Sequence, residues 1–96
     1  MPSYRVRMIV GDLHAGVDPA TVLPAAADAA RARTTVEAST VEVVRGLPRL
    51  TVRFEAADDV TAAGIGQDVV RRTDELVVVE TSRVTRRYGN RWYPLR

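Results

Sequence analysis

Residues Tyr4 to Val10 alternate with period two, with Tyr4, Val6, Met8 and Val10 on one side and Arg5, Arg7 and Ile9 on the other. Such alternation predicts a half-buried strand. Gly11 to Val17 reads as a loop, and Asp18-Pro19 then offers an N-cap followed by proline at a first helical position. The body of the expected helix is Ala25 to Arg33. Pro24 lacks a backbone donor, so either a short turn precedes it or the main helix starts there. Val22, Ala26, Ala29 and Ala30 form the apolar face, small side chains that let a helix lie close to a sheet while each buries little area.

Val36 to Arg45 is rich in β-branched residues, and Leu50 to Glu55 sets Leu50, Val52 and Phe54 opposite Thr51, Arg53 and Glu55. With Gly46-Leu47-Pro48 as the turn between them, these two strands pair antiparallel as a hairpin. Ala56-Ala57-Asp58-Asp59 opens a second helix with an aspartate cap, and Ile65, Val69, Arg72 and Leu76 follow at helical spacing. Gly64 and Gly66 each cost about 1 kcal/mol relative to alanine inside a helix, which leaves a loose first turn or a close approach to another backbone. Leu76 to Glu80 begins a strand whose β character runs on to Tyr88. Gly89-Asn90 is a two-residue turn, and Arg91-Trp92-Tyr93 returns, ended by Pro94. A tight turn sets Tyr88 opposite Arg91, Arg87 opposite Trp92 and Arg86 opposite Tyr93.

The order is βαββαβ with one more strand. Right-handed crossovers and the central hairpin make this an α+β, ferredoxin-like split βαβ antiparallel sheet with strands 1 and 3 adjacent, both helices on one face, and an extra C-terminal strand forming a hairpin. The helices cover Val6, Met8, Val10, Leu50, Val52 and Phe54, leaving Arg5, Arg7, Ile9, Thr51, Arg53 and Glu55 on the open face.

Composition narrows the function classes. Ninety-six residues suffice for a single domain, 1–96, with the hairpin at 82–96. There is no cysteine and one histidine, which excludes a disulfide framework and argues against a zinc site. No cofactor is expected. The N-terminus lacks the apolar run of a signal peptide or membrane helix, so a cytoplasmic protein without a membrane partner is expected. All fourteen basic residues are arginine, which together with abundant alanine and valine reads as GC-rich, bacterial-like codon usage. The last fifteen residues hold Arg83, Arg86, Arg87, Arg91 and Arg96 and no acid, leaving a net −3 for the other 81. That tail is electrostatically separate and suits an acidic partner.

Three places could carry chemistry. The first is the open face, where Arg5, Arg7 and Arg53 suit phosphates; single-strand binding modules on this topology add aromatic rings, and here none is expected beside the arginines while Glu55 interrupts them. The second is the hairpin, where Arg83, Arg86, Arg87 and Arg91 alternate with Tyr88, Trp92 and Tyr93, a set fit for nucleic acid or for a protein interface. The third is Asp12, His14 and Asp18 after the first strand. No second histidine, nucleophile or glycine-rich phosphate loop accompanies them, so solvated loop residues are the expectation.

The element order, Asp12 at the end of the first strand and the added C-terminal strand resemble the small CRISPR-associated nucleases, and Arg91-Trp92-Tyr93-Pro94-Leu95 is loosely similar to that family's terminal strand. No arginine-rich first helix or matching second-strand motif accompanies them, so the resemblance is one of topology.

The sequence therefore points to a small binding module, dimeric through its sheet, that presents the Arg/aromatic hairpin to an anionic partner, foremost nucleic acid. The alternatives are a protein-interaction or oligomerisation adaptor and a small dimeric α+β-barrel enzyme. Whether the chain is an enzyme is not decided by any motif.

Overall fold

The alternation of the first strand is realised in full in the computed structural model, which describes residues 1–95. The elements are β1 (Ser3–Leu13), a 3-10 turn (Pro19–Thr21), α1 (Val22–Arg31), β2 (Val36–Val44), β3 (Leu47–Glu55), α2 (Asp59–Asp74), β4 (Val77–Tyr88) and β5 (Arg91–Pro94). All strand pairs are antiparallel and the sheet order is β2-β3-β1-β4-β5. This is the expected ferredoxin-like split βαβ arrangement, with β5 added beside β4. No helix among the described residues is long and apolar enough to cross a membrane.

Several local expectations shift. Gly11 to Leu13 continue β1 instead of starting a loop, and pairing with β4 changes register after Ile9 and again before Leu13, as at a β-bulge. Asp18 caps the 3-10 turn, its carboxylate accepting from the Ala20 amide at 3.0 Å. Pro24 falls in the first turn of α1, where a backbone N–H has no intrahelical acceptor to lose. The β2-β3 turn is Arg45-Gly46, with φ of 52° and 80°, the positive pair that a two-residue type I′ hairpin requires. Leu47 and Pro48 therefore belong to β3, opposite Val44 and Val43. Pairing of β3 with β1 ends at Arg49, so Pro48 has a strand neighbour on one side only.

In α2, Asp58 caps as expected, accepting from the Thr61 amide at 2.8 Å. The inward face is Ala62, Ile65, Val69 and Thr73; Arg72 is exposed, and the Thr73 hydroxyl donates to the Val69 carbonyl at 2.8 Å inside the core. At Gly66 the turn is not loose, and the close approach is to a side chain and not to another backbone. A Cβ there would sit 2.5 Å from Val84 Cγ2, so the helix lies directly against β4.

The core lies between the helices and one sheet face. Tyr4, Val6, Met8, Leu50, Val52 and Phe54 from the sheet meet Val22, Ala26, Ala30, Ala62, Ile65 and Val69 from the helices. Tyr4 is fully buried, yet its hydroxyl donates to Asp59 at 2.7 Å. Burial first, and then Asp59, pushes the Tyr4 phenol up to about 12. A raised acid contributes stability that is complete below the unfolded value of roughly 10 and lost as pH climbs through the folded one. The chain has neither lysine nor cysteine to obscure that window. Alkaline unfolding should therefore lose stability between pH 10 and 12. In Tyr4→Phe this drop should shrink, at a cost of about 1 kcal/mol at neutral pH; an unchanged alkaline profile would refute the assignment.

Candidate functional site

The terminal hairpin forms with the expected register: Tyr88 opposite Arg91, Arg87 opposite Trp92, Arg86 opposite Tyr93. Positive φ falls on Gly89, at 61°, and not on Asn90, the type II′ pattern with glycine first. Because side chains alternate along a strand, this register divides the hairpin between the two faces of the sheet.

One half turns toward the helices. Arg86 donates to Asp59 at 3.0 Å, its guanidinium carbon lies 4.8 Å from the Tyr88 ring centroid, and Tyr88 meets Tyr93 edge-on at 5.6 Å. Asp59 stands in the first turn of α2, where a carboxylate also meets the positive helix end. Its two hydrogen bonds, from Tyr4 and then from Arg86, hold its carboxyl below the ordinary range. This cluster fastens the hairpin to α2. Arg86 is used structurally, while Tyr88, Arg91 and Tyr93 stay exposed.

The other half turns onto the open face. β4 pairs Arg5 with Thr85 and Arg7 with Arg83, so Arg83, Thr85 and Arg87 share the face of Arg5 and Arg7. Trp92 and Pro94 join them from β5. Trp92 reaches across β4, with the Arg5 guanidinium carbon 4.3 Å and that of Arg53 5.3 Å from its ring centroid. This corrects the expectation that no aromatic lies beside the open-face arginines. The open face and half of the hairpin are one surface.

Its electrostatics are unbalanced. Arg53 is paired with Glu37 at 3.0 Å and Arg49 with Glu42 at 2.6 Å. Arg5, Arg7, Arg83 and Arg87 have no carboxylate within 4.0 Å among the described residues. The Arg87 Nε instead donates to the Gly89 carbonyl at 2.7 Å, which stiffens the turn. Burial, then the guanidiniums of Arg7, Arg49 and Arg53, hold Arg5 below its ordinary value, and burial and then Arg49 do the same to Arg7, with Glu42 opposing both. Buried polar atoms lacking a partner concentrate here as well: Arg5 Nε, Arg7 Nε, Thr51 Oγ1 and Thr85 Oγ1 all lie on this face. Native proteins leave few such atoms unpaired. Arg5, Arg7, Arg83, Thr85, Trp92 and Pro94 line a cavity of about 170 Å³.

The remaining candidates are explained by the scaffold. His14 Nε2 donates to the Asp74 carbonyl at 2.8 Å and its amide to that of Leu76 at 2.9 Å, tying the end of β1 to the end of α2. Asp12 borders an apolar groove with Leu13, Val22, Leu23 and Val77 at the far end of the sheet. No group of three metal-ligating side chains is assembled among the described residues. Arg96 lies outside the described residues. Sequence reasoning missed Thr85, Arg49 and Pro94 as members of the open face; the alternation of β4 would have supplied Thr85 once Arg83 was assigned to that face. No protein family, no curated protein and no solved structure matches the chain. The class defined by the fold is the ferredoxin-like α+β sandwich, and the reading of the site rests on its own geometry.

Proposed function

We propose that this protein is a single-stranded nucleic-acid-binding module whose working surface is the open face of the sheet. Arg5, Arg7 and Arg83 contact phosphate, and Trp92 offers the ring on which a base stacks. The observation that carries the reading is Trp92 lying over Arg5, with Arg5, Arg7 and Arg83 in no ion pair among the described residues. A half-buried cation without a counter-ion raises the energy of the free protein, and a bound phosphate removes that penalty. A single strand is favoured over a duplex because a base must leave its stack to meet a ring on a sheet.

The two other readings draw less support from the same face. Pairing two copies through it would bring two sets of Arg5, Arg7 and Arg83 onto one interface, at a cost in like-charge repulsion. The cavity beside Arg5, at about 170 Å³, is smaller than the roughly 300 Å³ at which enclosed small-molecule pockets begin.

Trp92 is the chain's one tryptophan, so its fluorescence reports the site directly. Titration with a single-stranded oligonucleotide should quench it. The logarithm of affinity should fall against the logarithm of salt by about 0.7 per phosphate neutralised. Unchanged fluorescence, or binding indifferent to salt, would overturn the proposal.

A further inference from the structure

We infer that the cavity lined by Arg5, Arg7, Arg83, Thr85, Trp92 and Pro94 receives a terminal phosphate monoester, so that the protein engages a nucleic-acid strand at a phosphorylated end. This inference rests on the nucleic-acid-binding reading and makes it specific. Its basis is the shape and the donor set of the cavity. Thr85 sits in register between Arg5 on β1 and Pro94 on β5, and Trp92 spans from β5 to Arg5 above it. The recess is therefore walled on its β5 side, and Thr85 is only 8% exposed.

A phosphodiester has a chain leaving from both sides and needs two exits. A monoester has one chain and three free oxygens, and it can enter a recess walled on one side end first. Charge makes the same choice. Three guanidiniums converge without a carboxylate on the walls, and a monoester carries about −1.5 to −2 near neutral pH, against −1 for a diester. More of that charge can be matched by arginine forks. A monoester also offers the guanidinium forks lining the recess a third free oxygen, which a diester lacks. Trp92 borders the recess, so the nucleotide whose phosphate is seated there has its base beside the ring.

The test compares one single-stranded sequence with a 5′-phosphate, with a 3′-phosphate and with neither, each titrated against the wild type and Thr85→Val, with inorganic phosphate as competitor. A strand with one phosphorylated end should bind at least tenfold more tightly than the unphosphorylated strand. The advantage should shrink in Thr85→Val, an exchange that suits a strand and keeps the fold. Millimolar phosphate should compete with the phosphorylated strand more than with the bare one. Equal affinity for all three strands would overturn the terminal-phosphate inference and leave nucleic-acid binding intact. Binding of inorganic phosphate without any gain from an attached strand would also overturn it, as would failure of every strand to bind, which would remove the underlying reading too.

Discussion

Arg7→Glu should make the fold more stable and the site unfit for its ligand. Arg7 is half-buried, its Nε has no partner, and its guanidinium is held below the ordinary value by burial and by Arg49. A base depressed in the folded state is one whose charge the fold resists, so at neutral pH Arg7 costs stability. A carboxylate in its place faces Arg83 across β1-β4, with Arg49 near enough to act on its charge. Toward Arg49 and Arg83 the change exchanges repulsion for attraction, which outweighs the attraction of Glu42 that is lost. Stability should rise by about 1 kcal/mol, which for a domain of this size is roughly 4–8 °C in Tm. Affinity for a single strand should fall on the order of a hundredfold, about 2.7 kcal/mol, because one phosphate contact becomes a repulsion. Thermal melts and fluorescence titrations on the same preparation check both halves. A purely structural arginine would behave the opposite way, losing stability when reversed and leaving affinity unmoved.

The second large effect concerns the scaffold. Gly66→Ala gains about 1 kcal/mol of helix propensity, yet it sets a methyl group 2.5 Å from Val84 Cγ2. Val84 is β-branched and stiff at χ1, so relief requires α2 to lift from β4. Overpacking of this kind costs typically 1–3 kcal/mol, and here it should exceed the propensity gain. Val84→Ala removes the clashing atom. In a double-mutant cycle read by chemical denaturation, Val84→Ala should be markedly less harmful in the Gly66→Ala background than alone, and strict additivity would contradict the packing.

Much of this was legible in the chain because local pattern carries it. The two-residue alternation of Tyr4 to Val10 assigned both faces of β1, and Gly89-Asn90 fixed the pairing of Arg87 with Trp92. What stayed hidden is non-local. Placing Trp92 over Arg5 requires the register between β1 and β4, set by packing between segments some 80 residues apart. The hairpin accordingly reads from sequence as one arginine and aromatic surface, while the fold sends Trp92, Arg83 and Arg87 to one side and Arg86, Tyr88, Arg91 and Tyr93 to the other. The β2-β3 turn was displaced because Gly46-Leu47-Pro48 contains two strong turn residues, whereas the structure places positive φ on Arg45, a residue with no intrinsic preference for it. Helical spacing in the sequence points to Arg72, whereas the structure buries Thr73 one position away, where only helix phase decides.

The division of the hairpin makes the central claim directly measurable. In a nitrogen-proton NMR titration with a single-stranded oligonucleotide, the indole N–H of Trp92 and the Nε–H groups of Arg5, Arg7 and Arg83 should shift together and saturate at one equivalent. The backbone amides of Tyr88, Arg91 and Tyr93 should move less. Shifts centred on those three residues and α2, or no shift at Trp92, would contradict the assignment of the open face as the binding surface.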